Sequence, residues 1–90
     1  MINRYQAMQL GIRPETLEAF SPDWPIPTAE EVAKVIEQGG RLSSPKIARL
    51  VGVNDRTVRR WLDGTRTINY AQWSVLVARA GLGNLWELAE

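Results

Sequence analysis

The segment from Ser44 to Asp63, SPKIARLVGVNDRTVRRWLD, constrains the fold more than any other part of the chain. Ala48, Gly52 and Val58 stand four and then six residues apart, among the apolar residues Ile47, Val51, Val53 and Trp61. This is the pattern of two short helices joined by a tight turn, a helix-turn-helix. A small residue at Ala48 lets the two helices approach closely, and Val58 packs back onto it from the second helix. Gly52 ends the first helix where the chain must turn, a position suited to positive φ. Arg56, Arg59 and Arg60 are then left facing outward, and a DNA duplex is the natural partner for such a face.

Composition narrows the alternatives. Ninety residues make one small domain, near the lower end of what a hydrophobic core holds unaided. The chain has no cysteine and no histidine, which excludes disulfides, thiolate or imidazole metal sites, a cysteine nucleophile and a Ser-His-Asp triad. Its carboxylates form no obvious inward-facing pair, so an enzyme is not expected, and neither is a metal or other cofactor. The apolar runs are too short to span a membrane. The start, MINRYQAMQLG, has no apolar core and no cleavage pattern of a signal peptide. A cytoplasmic protein without a membrane partner is the expectation, and so small a chain leaves little room for a small-molecule ligand.

The net charge of +1 says less than its distribution. Residues 1–40 carry a net charge of −3 and residues 71–90 a net charge of −1. Between them, Arg41, Lys46, Arg49, Arg56, Arg59, Arg60 and Arg66 face only Asp55 and Asp63, giving +5 over residues 41–70. Positive charge is therefore concentrated on the helix-turn-helix and the loop after it, as an electrostatic footprint for phosphates requires. Arg49 and Arg79 are expected to be solvated or in surface ion pairs.

Helix signals run along the rest of the chain, and no segment reads as a convincing strand. Thr28 to Glu31 is a capping box ahead of Val32, Val35 and Ile36 at helical spacing, and Gly39-Gly40 stops that helix. Ser44 reads as an N-cap with Pro45 at the first helical position. Asn54 or Asp55 caps the next helix, which ends near Asp63-Gly64. Asn69 caps another, in which Trp73, Leu76, Val77 and Ala80 form one stripe closed by Gly81. Trp61, Tyr70 and Trp73 fit core or core-edge positions, and Leu85, Trp86 and Leu88 suggest a last short helix. The expected fold is all-α: a compact bundle of about five core helices containing the helix-turn-helix, plus an N-terminal helical hairpin. Its expected parts are residues 1–27 (hairpin and proline-rich connector), 28–81 (core) and 82–90 (short helix and possible dimer contact).

In the N-terminal part, Asn3 to Leu10 and Pro14 to Phe20 read as two short helices around Gly11. Ala7, Gly11 and Leu17 repeat the spacing of Ala48, Gly52 and Val58. Leu10, Ile12 and Phe20 fall where Val51, Val53 and Trp61 fall. Glu15 and Glu18 stand where the main motif has arginines and would repel phosphate, so packing or dimerisation is preferred to DNA contact. Ser21 to Pro27 reads as an extended connector with Trp24 as an apolar anchor.

Residues 28–81 resemble the helix-turn-helix domain of the lambda-repressor-like family, the Cro and C1 type. The resemblance rests on Ala48-x3-Gly52-x5-Val58 with Trp61. The run Trp61 to Trp73, WLDGTRTINYAQW, is similar to small regulators carried by phages and plasmids. It implies a helical bundle whose third core helix enters the major groove, and a homodimer that binds an inverted-repeat operator in double-stranded DNA and represses transcription. The base-reading positions of the family map to Asp55, Arg56, Arg59 and Arg60. Arginine bidentate to guanine would put G·C pairs in each half-site. Asp55 accepts from a cytosine amino group or caps the helix, the cap being preferred. Phosphate contacts are expected from Ser44, Lys46 and Thr57, then from Thr65, Arg66, Thr67 and Asn69. The dimer surface is expected in Leu82, Leu85, Trp86 and Leu88, or else in the N-terminal hairpin. A competing reading is a protein-interaction module such as an antitoxin that also autoregulates.

Overall fold

The computed structural model describes residues 4–85. Among these the chain is all-helical: α1 (Arg4–Leu10), a single 3-10 turn (Pro14–Leu17), α2 (Ala29–Gln38), α3 (Ser44–Val51), α4 (Asp55–Asp63) and α5 (Tyr70–Arg79). Helices α3 and α4 pack on each other most extensively, with α2 and α5 closing the core around them.

Local chemistry places the helix starts. Thr28 Oγ1 accepts from the Glu31 amide at 3.1 Å and Glu31 Oε1 accepts from the Thr28 amide at 2.9 Å, a complete capping box for α2. Asn69 and Gln72 make the same reciprocal pair at α5. For α3 the boundary lies one residue earlier than expected. Ser43 is the N-cap, Ser44 is the first helical residue and Pro45 the second. The Ser43 carbonyl accepts from the Ile47 amide at 2.9 Å, which starts the helix there, and proline at the second position offers no N–H to a capping side chain.

The α3–α4 turn hinges on Gly52, at φ 85° and ψ 33°. The Gly52 and Val53 amides both donate to the Ala48 carbonyl, at 2.8 and 3.0 Å, so the turn closes the end of α3. A Cβ on Gly52 would meet nothing within 4 Å, so only the left-handed backbone selects glycine. Gly52→Ala is expected to cost about 1–2 kcal/mol and Gly52→Asn less, because asparagine tolerates this region. Urea denaturation measures both; equal stability of the alanine variant would remove the backbone argument.

Ala48, Val58, Trp61, Trp73, Leu76 and Val77 share one buried cluster with Val32, Val35, Ile47 and Ile68. Ala7, Ile12 and Leu17 belong to the same cluster, so the N-terminal segment is part of the core. Its turn copies the α3–α4 turn: Gly11 takes φ 80° and the Ile12 amide donates to the Ala7 carbonyl at 3.0 Å. The second half departs from expectation. Instead of a helix to Phe20 there is one 3-10 turn, ending at Glu18 in an extended conformation. The Thr16 carbonyl, which a longer helix would give to a later amide, accepts from the indoles of Trp24 at 3.0 Å and Trp73 at 2.9 Å. Phe20 thus leaves the position equivalent to Trp61 and is 63% exposed.

Arg13 fastens this segment to α2. Its backbone amide, Nε and Nη2 all donate to the Glu31 carboxylate, and Nη2 also reaches the Ile26 carbonyl. Burial pushes the Glu31 carboxyl up, but the Arg13 hydrogen bonds and the Thr28 amide outweigh it and hold the group below its ordinary value. At the other end, Leu82 and Leu85, two of the residues expected at a dimer surface, are buried in the core of the chain itself. Trp86 and Leu88, with the rest of the expected last helix, lie outside the described residues.

Candidate nucleic-acid interface

Helix α4 has two unlike faces. Val58 and Trp61 are buried against the core, whereas Arg56 and Arg59 are exposed and Arg60 is half-buried. The inward pair fixes the rotation of the helix about its axis, so the arginines project from a rigid element. Asn54 supplies the cap: its Oδ1 accepts from the Thr57 amide at 2.8 Å and the Thr57 hydroxyl at 3.0 Å. Asp55 is therefore not the cap. Its carboxylate lies 3.9 Å from Arg59 Nη2 one turn along, within the first turn, where negative charge also favours the helix dipole.

The end of α4 is equally defined. Gly64 takes φ 84°, and its amide donates to the Arg60 carbonyl, as do those of Thr65 and Arg66. Asp63 Oδ1 accepts from the Thr65 amide at 2.8 Å and the Thr65 hydroxyl at 2.6 Å. The hydroxyl and amide bonds from Thr65, helped by nearby Arg60, hold the Asp63 carboxyl below its ordinary value. Arg66 and Thr67 follow in an exposed loop that ends at the Asn69 cap of α5.

The residues expected to touch DNA divide accordingly. Arg56, Arg59 and Arg60 share the outer part of α4, and Arg66 and Thr67 stand on the loop leaving it. Lys46 is exposed and Ser44 half-buried in the first turn of α3. Thr57 and Thr65 differ from the others, because their hydroxyl protons are already given to Asn54 and Asp63. Each would have to surrender a short internal bond before donating to a phosphate. Asn69 uses its Oδ1 in capping, which leaves its amide nitrogen as a donor. The Asp63–Thr65 turn had no place in the sequence reading. An acidic residue two before a threonine at a helix end is its signal, though a weak one.

The chain matches no protein-family model and no solved structure. It is similar to two proteins from Escherichia coli, each called transcriptional repressor protein KorC. One is 40% identical over 76 residues, covering 79% of this chain and 88% of the relative. The other is 39% identical over 76 residues with the same coverage.

Proposed function

The chain belongs to the family of the KorC transcriptional repressors, and from that premise we propose that it represses transcription by binding a specific double-stranded DNA sequence through α4. The observation that carries the reading is the exposed arginine face of α4, held outward by buried Val58 and Trp61 behind the Gly52 turn. In this reading α3 and α4 form a DNA-binding helix-turn-helix of the lambda-repressor-like kind. Arg56, Arg59 and Arg60 reach base edges, guanine above all, while Lys46, Arg66, Thr67 and Asn69 hold the backbone. Two copies bind an inverted repeat, with half-sites about one helical turn apart, and occlude a promoter. It is a binding protein rather than a catalyst. Footprinting on the DNA upstream of its own gene tests this: a protected inverted repeat is expected, and uniform weak protection at all sequences would contradict it.

Base and phosphate roles separate by salt dependence. Arg59→Ala and Arg60→Ala should lower the preference for the operator over random duplex. Arg66→Ala should weaken both together and flatten the log–log salt slope by about 0.9 per lost phosphate contact. Equal losses on both duplexes from all three variants would show that the roles are assigned wrongly.

A further inference from the structure

We propose that the apolar face built from Phe20, Trp24, Ile26 and Tyr70 is the docking surface for a second copy of this chain, an inference resting on the DNA-binding reading above. The rings of Phe20, Trp24 and Tyr70 lie against one another, with centroids 6.4, 5.3 and 5.2 Å apart, yet Phe20 is 63% and Ile26 53% exposed. They line an open cleft of about 360 Å³. Clustered exposure of this kind marks an interaction site rather than ordinary surface. The face is preformed: Trp24 is anchored through its indole to the Thr16 carbonyl, so little ordering is required on association.

Two observations select a second copy as the occupant. No residue lining the cleft is charged, which suits the centre of a protein interface and not a polyanion or a charged peptide. The other wall of the cleft is Thr67 to Tyr70, continuous with the loop that leaves α4. A partner seated there would stand beside the proposed DNA-facing edge, where two copies can share one face of a duplex. An isologous contact would place this patch against itself across a two-fold axis, the symmetry of an inverted repeat. The other exposed apolar groups are placed differently. Gln9 and Leu10 at the end of α1 share a cleft with the charged Lys34 and Glu37 of α2, and the cleft beside Leu62 is rimmed by the Glu37–Arg41 ion pair.

The absence of cysteine from the chain makes the test clean. Ile26→Cys and Phe20→Cys, oxidised without DNA, should form covalent dimers readily, whereas Met8→Cys and Leu50→Cys should not. A Phe20→Ser/Ile26→Ser variant should keep the wild-type circular dichroism and sediment as a monomer. It should bind half of the footprinted site as well as wild type, and lose on the order of a hundredfold on the full inverted repeat. If this variant does not fold, cross-linking alone decides. Cross-linking no faster at Phe20 and Ile26 than at Met8 and Leu50, an unchanged sedimentation coefficient in the folded double variant, or a wild-type chain that is monomeric both free and on DNA would each overturn the proposal. Cross-linking of the Ile26→Cys variant together with a dimeric wild-type chain that binds no duplex would instead sink only the DNA-binding reading.

Discussion

Removal of residues 1–20 is expected to unfold the chain rather than merely to trim it. The deletion takes Ile12 and Leu17 out of the core, both almost fully buried. Each is worth about 1.5–3 kcal/mol in lost burial, against a total stability of about 5–15 kcal/mol for a native domain. Two further losses fall on what remains. Trp73, fully buried, loses the Thr16 carbonyl that accepts its indole N–H, and an orphaned buried donor costs about 1–3 kcal/mol. Glu31 loses Arg13. Circular dichroism of the truncated chain should show little helix and no cooperative melt, with operator binding lost as a consequence. A cooperative melt close to that of the full chain would show that α2 to α5 hold their core alone. A stable, dimeric truncation with a shortened footprint would go further and assign DNA contacts to the N-terminal segment.

Arg13→Ala should destabilise the fold and change how its stability depends on pH, because Arg13 is the ion-pair partner of Glu31. The Glu31 side chain is only 5% exposed, and without the Arg13 guanidinium it keeps two backbone donors, the amides of residue 13 and Thr28. Leaving a buried carboxylate partly unpaired costs about 1–3 kcal/mol, toward the lower end here because Arg13 is 46% exposed and water can take its place. The pH dependence follows from the depressed folded-state value of Glu31. Its contribution is present in full above the unfolded carboxylate range, near about 4.3. It is lost as pH falls through the lower folded value, when the group must protonate. Wild-type stability should therefore drop on acidification, and Arg13→Ala should be less stable at neutral pH but lose less on going acid. Urea denaturation at neutral and acid pH measures both; parallel losses in the two proteins would contradict the role given to this pair.

Short-range chemistry was readable from the residues. The Thr28–Glu31 box, the Asn69 cap, the Gly52 turn and the burial of Ala48, Val58 and Trp61 all depend on groups within a few positions of one another. Where two neighbours could do the same work, spacing could not choose. Asn54 rather than Asp55 caps α4, and Ser43 rather than Ser44 caps α3. What the sequence did not disclose was long-range. Thr16 and Trp73 are 57 positions apart, and no periodicity announces that a carbonyl will serve two indoles. Arg13 and Glu31 are 18 apart, and the capping box gave Glu31 a sufficient local role that hid the second one. Phe20 was misplaced for the same reason. Its match to Trp61 held only if the second N-terminal helix continued, and the indole bonds at Thr16 accompany its end at one turn. At the candidate interface the arginines were legible because charge and helical phase suffice to place them. The engagement of the Thr57 and Thr65 hydroxyls was not, since it depends on side-chain rotamers.

In the function proposed above, α4 and the loop after it form the face that meets DNA. Titrating isotope-labelled protein with a duplex carrying the footprinted site, and following each backbone amide by nuclear magnetic resonance, tests it most directly. The largest shifts should fall on Asn54 to Arg60, on the first turn of α3 around Lys46, and on Thr65 to Asn69, with the α1 amides from Tyr5 to Gln9 unmoved. Shifts centred on α1 or on the outer face of α2, with the amides of Arg56, Arg59 and Arg60 unchanged, would contradict it.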